Sequence, residues 1–158
     1  MNIDPIFFTL YVLNLDKSNE INAKENEEEI KGCEIYINEK KINFNYYYTF
    51  PCKGIYIIKY IFKKSLASTN FLFYDCKSLL FLDLSNFNSQ NITNMGYMFY
   101  ECKSIKSLDL SNLNTRNVTN MISMVSDCNS LISLDLSNFN TQNTNDMGFM
   151  FFGCNSLI

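Results

Sequence analysis

The chain has 158 residues, 47% of them hydrophobic and 18% charged, which is enough for one compact domain or two small ones with a real core. Its 13 basic and 16 acidic residues give a net charge of −3, and the lack of a long basic run argues against nucleic-acid binding. It contains no histidine, which excludes the commonest general base, the usual catalytic triads and histidine-based metal sites.

The first apolar segment covers residues 5–13 and has about the length of the apolar part of a signal peptide. Asp4 precedes it, no lysine or arginine does, and no small-residue cleavage site follows, so a signal peptide is disfavoured. The segment is also too short to span a bilayer. We therefore predict a buried strand or helix here and no membrane span.

An antiparallel β-rich cap is predicted for the rest of the N-terminal region. Residues 16–31 are acidic and polar, which is typical of a surface helix or loop. Residues 34–38 and 41–44 alternate around a polar turn and predict a hairpin, whose second strand continues through residues 46–50. A β-branched and aromatic run at residues 55–62 predicts a third strand.

Residues 69–158 consist of a 26-residue unit copied in tandem, which follows an N-terminal segment and cap at residues 1–68. The copies keep one register without a gap, and the last copy stops in mid-repeat. The residues that recur 26 positions apart are Cys76, Cys102, Cys128 and Cys154; Asp83, Asp109 and Asp135; Met95, Met121 and Met147; and Met98, Met124 and Met150.

Each unit changes its apolar period part-way through. Residues 108–111 alternate apolar and polar, which predicts a short strand with its two leucines inward. Residues 112–115 supply turn chemistry. Apolar side chains three or four apart over residues 118–128 indicate one face of a short helix, with Thr119 at its N-cap. We therefore predict an α/β solenoid of short parallel strands and short helices, in which neighbouring units cover each other's apolar faces.

The unit reads Ser-Leu-x-x-Leu-Asp-Leu-Ser-Asn-Phe-Asn-Thr, followed by Val-Thr-Asn-Met-x-x-Met-Phe. This pattern resembles the BspA-like leucine-rich-repeat surface proteins, whose repeats also occur in mycoplasma lipoproteins, over residues 69–158. The resemblance implies a leucine-rich-repeat-like solenoid and a cell-surface or secreted role in adhesion or in binding a host or partner molecule.

Asparagines mark a departure from ordinary leucine-rich repeats. The ladder asparagine of those repeats is replaced by Phe87, Leu113 and Phe139. We expect the ladder to be displaced to one of two columns, Asn86, Asn112 and Asn138 or Asn88, Asn114 and Asn140. Asn91 and Asn117 begin N-glycosylation sequons, and repeat copying explains why these recur.

Cysteine and methionine columns favour core packing. The four repeat cysteines lack a Cys-x-x-Cys partner or a histidine, so a zinc site is disfavoured. The helical spacing of the methionines also predicts burial. A disulfide between Cys33 and Cys52 stays open as an alternative for a secreted protein.

The best candidate site is a set of aspartates and serines on the outward strand face. One interpretation is a polar strip that binds a protein or glycan, with Ca²⁺ as an option; the other is a solvated ladder satisfied by its serines. The three aspartates are equivalent by repeat, so nothing separates their pKa values as glycosidase chemistry would need. The candidate binding residues are Asp83, Ser85, Ser107, Asp109, Ser111, Ser133, Asp135 and Ser137.

We therefore predict a non-catalytic repeat module that binds a protein or glycan on its outward strand face. It is expected to be no enzyme and to use no metal, cofactor or nucleic acid. Two alternatives stay open. The unfinished unit at residues 154–158 leaves an unpaired strand edge that favours self-association. The second alternative is that the sequence is a fragment of a longer repeat protein.

Overall fold

The structure is a computed structural model, and it describes residues 6–14, 19–20, 31–43, 47–48, 50, 52 and 54–158. Over this part of the chain nine strands occur and no residue is helical. The strands are β1 (Ile6–Asn14), β2 (Asn19–Glu20), β3 (Glu34–Ile37), β4 (Lys40–Ile42), β5 (Tyr47–Tyr48), β6 (Gly54–Phe62), β7 (Leu79–Asp83), β8 (Ser107–Asp109) and β9 (Ser133–Asp135).

The largest sheet has five strands in the order β4-β3-β6-β1-β7, and each neighbouring pair is antiparallel. The apolar segment at the N-terminus is a strand, β1, which lies between β6 and β7. Along β6 the side chains of Tyr56, Ile58, Tyr60 and Phe62 are buried, as the alternation of the sequence predicts. Since β7 belongs to the first repeat unit, this sheet joins the N-terminal region to the repeats.

The predicted hairpin is confirmed as β3 and β4, with Ile37 paired to Lys40. Its two-residue loop has positive φ at Asn38 (46°) and Glu39 (66°), the conformation of a tight hairpin turn whose twist matches the strands. The predicted continuation of the second strand is wrong, because Tyr47–Tyr48 forms β5, which pairs with β2 in a separate two-stranded sheet. Most of residues 16–31 lies outside the described residues.

The predicted α/β solenoid, with its leucine-rich-repeat-like short helices, is wrong. No described residue is helical, and the described strands form small sheets, so the chain has a small β-type fold. The predicted helices are chains of turns at residues 69–75, 95–101, 121–127 and 147–153, which we call the turn segments. Thr119 caps no helix; its N–H instead donates to the Thr93 carbonyl oxygen at 2.8 Å.

Backbone hydrogen bonding explains why the turn segments are not helical. In an α-helix each N–H beyond the first turn donates to the carbonyl oxygen four residues earlier in the same segment. Here the N–H groups of Met95, Tyr97, Phe99 and Glu101 donate to carbonyl oxygens of the next unit at 2.8–3.0 Å. The alternate N–H groups, such as that of Tyr100, which donates to the Tyr97 oxygen at 3.2 Å, close local turns. Half of the donors therefore serve the neighbouring unit.

This arrangement requires left-handed backbone at two positions of each complete turn segment. Tyr97 and Glu101 have φ of 53° and 59°, and Ser123 and Asp127 have φ of 50° and 58°. Left-handed backbone costs roughly 1–2 kcal/mol for each non-glycine residue. The four inter-unit hydrogen bonds of the segment contribute about 1 kcal/mol each, which is enough to offset that cost.

Neighbouring units lie side by side in one register. Parallel bridges join Ser68 to Asn94, Asn94 to Asn120, and Asn120 to Asp146, while β8 and β9 pair in parallel. Aromatic rings of successive units stack, as in the pairs Phe71–Tyr97, Phe73–Phe99 and Tyr74–Tyr100, with ring centroids 4.9–5.2 Å apart.

The interior holds most of the methionine and cysteine columns, as predicted, while Cys76 and Cys154 are partly buried. The buried members are Met95, Met98, Met121, Met124, Met150, Cys102 and Cys128. Met147 departs from the prediction, since 47% of it is exposed.

Candidate functional site

The strand face of the repeats places the candidate site residues outward. Ser107 and Asp109 are exposed on either side of the buried Leu108, and β9 repeats this pattern with Ser133 and Asp135 exposed. The outward direction expected from the alternation is therefore found in β8 and β9.

Register brings part of the candidate set together. Ser107 is paired with Ser133 and Asp109 with Asp135 across the parallel strands, and the Ser133 hydroxyl donates to the Ser107 hydroxyl oxygen at 2.9 Å. Asp83 is the last residue of β7, a strand that contacts β8 but pairs with β1. Asp83 is half-buried, whereas Asp109 and Asp135 are exposed. Phe81, which is 52% exposed, takes the position in β7 that serine has in β8 and β9.

Each aspartate closes the turn that follows its strand. The backbone N–H of the serine two residues later donates to its Oδ1 atom, at 2.9 Å for Ser85 and Ser111 and 2.8 Å for Ser137. Such side-chain-to-backbone bonds stabilise turns and explain why the unit repeats Asp-Leu-Ser. The carboxylates therefore have a structural role within their own units.

Asp109 makes one further bond, from the Ser111 hydroxyl to Oδ1 at 2.6 Å. Hydrogen bonds from the Ser111 hydroxyl and then from its N–H stabilise the charged form and lower the pKa of the Asp109 carboxyl. Asp109 is thus held ionised, which suits a binding group better than a general acid.

Repulsion along the aspartate column is modest. Parallel strands lie about 4.8 Å apart, and two unit charges at about 5 Å in water repel by roughly 0.8 kcal/mol. The column therefore needs no cation to balance it. Within the described residues no group of three or more His, Cys, Asp or Glu side chains is placed to hold a metal ion.

The second carboxylate oxygen is what the strip offers to a ligand. In the described part of the chain, the Oδ2 atoms of Asp83, Asp109 and Asp135 accept no hydrogen bond. The strip therefore presents acceptors at unit spacing, alongside exposed serine hydroxyls.

A cross-unit asparagine column lies where sequence reasoning did not place it. The side-chain amides of Asn91, Asn117 and Asn143 donate to the preceding unit, reaching Ser65 Oγ, Gln90 O and Arg116 O at 2.8–3.0 Å. The sequon asparagines Asn91 and Asn117 are therefore joined to their neighbours. In the sequence, their recurrence every 26 residues marks all three, and the sequons also mark Asn91 and Asn117.

The two columns proposed for the ladder behave differently. The Oδ1 atoms of Asn88, Asn114 and Asn140 accept an N–H from two residues later at 3.0–3.1 Å, so this column closes local turns. In the other column, Asn138 crosses to the preceding unit, donating to the Ser111 oxygen at 2.7 Å, whereas Asn86 donates to its neighbour Ser85.

The repeat cysteines are structural thiols. Cys102 and Cys128 donate to the carbonyl oxygens of Phe73 and Phe99 in the preceding unit, each at 3.1 Å. Burial raises the pKa of the Cys128 thiol to about 12, so nearly all of it is protonated at neutral pH. All six cysteines are free, and the alternative disulfide is not formed: Cys33 is buried and Cys52 exposed.

A surface groove on the outer face of β3 and β6 was not expected from the sequence. It has a volume of about 390 Å³ and is lined by Tyr36, Glu39, Ile57, Lys59 and Ile61. The alternation of β6, which turns Ile55 and Ile57 outward, is the sequence pattern that indicates it. Its lining mixes apolar and charged side chains on an open sheet face, and we assign no function to it.

The described residues include no helix long and apolar enough to cross a membrane. A family model described as "Mycoplasma protein of unknown function, DUF285" matches residues 67–158. No curated protein and no solved structure matches the chain. The family match covers the repeat region and carries no statement about BspA-like leucine-rich repeats.

Proposed function

We propose that this chain, which belongs to the family described as Mycoplasma protein of unknown function, DUF285, uses its repeat region as a non-catalytic module that binds a protein or glycan. The proposed site is the polar strip, made of Asp83, Ser85, Ser107, Asp109, Ser111, Ser133, Asp135 and Ser137. The observation that carries the proposal is the parallel register of β8 and β9, which sets exposed serines and aspartates side by side.

The chemistry of the strip suits ligands that donate hydrogen bonds. Each aspartate keeps Oδ1 for its own turn and leaves Oδ2 toward solvent, so a ligand meets fixed negative acceptors. The turn bonds hold these side chains in place, which lowers the entropy lost on binding. Amide groups of a polypeptide and hydroxyl groups of a sugar both supply the required donors.

The strip does not favour catalysis. A hydrolase with two carboxylates needs one protonated and one ionised group, which requires two different environments. Here the same turn bond recurs at all three aspartates. A binding role is the better match to three carboxylates that share this turn bond.

A relation to the BspA-like surface proteins, with a cell-surface or secreted location and a role in adhesion, is part of this proposal. Its support is the repeat sequence, in which the Asp-Leu-Ser-Asn and Asn-Met-x-x-Met-Phe blocks are both in register. Leucine-rich-repeat helices form no part of it. Protease treatment of intact cells expressing the chain tests the location, because complete protection of the protein would contradict it.

The binding role is tested by replacing Asp83, Asp109 and Asp135 together with Asn. Asparagine keeps an Oδ1 acceptor for the turn but loses the charge, so the fold is expected to persist. Glycan microarrays and immobilised extracellular-matrix proteins are the probes. For any ligand that the unchanged chain binds, we expect affinity to fall about tenfold or more, since a hydrogen bond to a charged group contributes roughly 1.5 kcal/mol or more.

Asp146→Asn is the matched control. The Asp146 Oδ1 atom closes the same kind of turn, with the Gly148 N–H at 2.8 Å, but it lies in the column that holds Asn94 and Asn120 in other units. This variant is expected to bind like the unchanged chain. Equal affinity of the triple variant and the control would reject the polar strip as the site.

A further inference from the structure

Exposed apolar side chains lie on the outer face of the N-terminal sheet. Ile55 is 62% exposed, Phe81 52% and Ile57 43%. Ile57 of β6 and Phe81 of β7 both pair with Tyr11 of β1, one on each side of it. Cross-strand partners share a face of a sheet, and so do residues two apart in one strand. Ile55, Ile57 and Phe81 therefore lie on one face, and we call them the apolar patch.

The apolar patch adjoins the polar strip. Phe81 takes the unit position of Ser107 and Ser133, and its strand β7 contacts β8. Asp83 follows Phe81 by two residues and takes the unit position of Asp109. Side chains two apart on a strand lie on the same face, roughly 6.6 Å from each other. An exposed aromatic ring thus lies beside the first carboxylate of the strip.

The charge of the polar strip is not paired within the described part of the chain. The acidic side chains of the turn segments do have partners, since Asp75 pairs with Lys77 at 2.7 Å and Glu101 with Lys103 at 3.0 Å. Among the described residues, no lysine or arginine forms an ion pair with the three aspartates of the strip. Their turn bonds use one carboxylate oxygen each, which leaves the other for a positively charged ligand group.

The combination of patch and strip favours a polypeptide ligand over a neutral glycan. Neighbouring strands lie about 4.8 Å apart, so one ammonium or guanidinium group between Asp83 and Asp109 reaches an oxygen of each. An aromatic or branched aliphatic side chain of the ligand would cover Phe81 and Ile57. A neutral glycan has neither a cation nor an aliphatic side chain.

We propose that this surface binds a polypeptide segment in which an aromatic or branched aliphatic side chain precedes a lysine or arginine by two residues. Residues two apart in an extended ligand point to one side with the same spacing as Phe81 and Asp83. The apolar side chain then packs on the apolar patch while the cation contacts the carboxylates. This partner class rests on the binding role proposed above and narrows it to a basic polypeptide.

The probe is a fluorescein-labelled peptide, Thr-Phe-Thr-Lys-Thr-Lys-Thr, whose threonines favour an extended backbone. Fluorescence anisotropy measures its binding to the full chain, and we expect the affinity to fall as salt is added, because salt screens exposed charges. The matched control is Thr-Lys-Phe-Lys-Thr-Thr-Thr, which has the same composition but directs the ring away from the lysines. It should bind about fivefold more weakly or worse, because its ring stays in water.

Two variants of the chain test the apolar patch. Phe81→Ser introduces the residue that β8 and β9 have at this position, and it should weaken binding of the first peptide by about fivefold or more. Ile57→Thr keeps a β-branched residue in β6, so it tests the patch even if Phe81→Ser folds poorly, and it should also weaken binding. The matched control is Phe149→Ser, which replaces another exposed phenylalanine with the serine of the preceding unit, Ser123, but lies in a turn segment. This control should bind like the unchanged chain.

The outcomes separate the partner class from the binding role. Loss of binding in the triple Asn variant with unchanged binding in Phe81→Ser and Ile57→Thr would overturn the partner class and leave the polar strip as the site. The reverse result, with binding kept in the triple variant, would reject the strip itself. Equal affinity for the two peptides, or no binding of either, would also overturn the partner class. So would a concentration-dependent dimer, detected by light scattering, that Phe81→Ser dissociates, because a second copy would then be the occupant.

Discussion

In the N-terminal sheet, β3, β4 and β6 pair as extended antiparallel strands, so consecutive N–H groups point to alternate sides. In the repeat region, each turn segment also sends every second N–H to a neighbour, but its backbone is folded into turns with left-handed residues. The comparison shows that lateral hydrogen bonding does not require an extended backbone. Side-chain spacing in the turn segments therefore resembles a helix, while their hydrogen bonding resembles a sheet.

The largest expected effect is the difference in stability loss between a buried and a partly exposed residue at the same position of the unit. Phe99 is fully buried and stacks on Phe73, so Phe99→Ala should reduce the free energy of unfolding by about 3–5 kcal/mol. Phe151, the equivalent residue of the last unit, is 45% exposed, so Phe151→Ala should cost less than about 1.5 kcal/mol. Denaturant unfolding followed by circular dichroism measures both.

Equal losses of unfolding free energy at Phe99 and Phe151 would contradict the difference in burial between these two residues. Ile58→Ala provides a reference in the N-terminal sheet, where Ile58 is 2% exposed. A loss of about 2–5 kcal/mol is expected there.

A second, smaller effect is the change in stability on replacing serine with glycine, whose sign distinguishes turns from a helix. Ser123 has φ of 50° and is buried, and Ser126, three residues later, is equally buried without positive φ. Glycine relieves left-handed strain, so Ser123→Gly should stabilise the fold by about 1 kcal/mol. Ser126→Gly should destabilise it by roughly 0.5–1 kcal/mol. Thermal unfolding measures the pair, and a loss in both variants would instead support a helix.

Much of the N-terminal sheet could be predicted from the sequence because its cues are local. Residues 34–38 and 55–62 alternate or are β-branched, and the structure has β3 and β6 there. The pairing of Tyr47–Tyr48 with Asn19–Glu20 depends on residues far apart in sequence, and so it was missed.

The turn segments were mistaken for helices for a physical reason. Met121, Met124, Val125 and Cys128 have helical spacing, yet consecutive turns closed by bonds to the third preceding residue also return side chains to one side. The turn segments differ from a helix because the N–H groups of Met121 and Ser123 donate to carbonyl oxygens of the next unit. The sequence of a single unit does not reveal these acceptors. Gly153, at the position of Asp127 one unit earlier, is a local hint of left-handed backbone.

The sequence predicted which side of the strands the candidate site residues occupy, but not the hydrogen bonds that they make. Alternation correctly placed Ser107 and Asp109 on the exposed side of β8. The turn bonds from Ser111 to Asp109, and the cross-unit bonds of Asn117, depend on distances of a few ångströms. Composition and spacing do not fix those distances, so the sequence showed the columns without showing which bonds they make.

The smallest expected effect tests the charge of the strip against pH. Hydrogen bonds from Ser111 lower the pKa of the Asp109 carboxyl in the folded state. A carboxyl with a lowered pKa adds stability above its unfolded pKa, near 3.9, and this contribution is lost as pH falls through the folded value.

Ser111→Ala removes the hydroxyl, the larger of the two causes, so it should raise the pKa of Asp109 toward the ordinary value. It should also reduce stability slightly at pH 7, and this loss should disappear once the pH is below the folded-state pKa, where the carboxyl is protonated in both states. Carboxyl carbon shifts in an NMR titration report the pKa, and Ser137→Ala is the control, since Ser137 reaches Asp135 through its backbone N–H. An Asp109 pKa that is the same with serine and with alanine at position 111 would show that the backbone N–H alone holds the carboxylate, as the turn bond does in the other units.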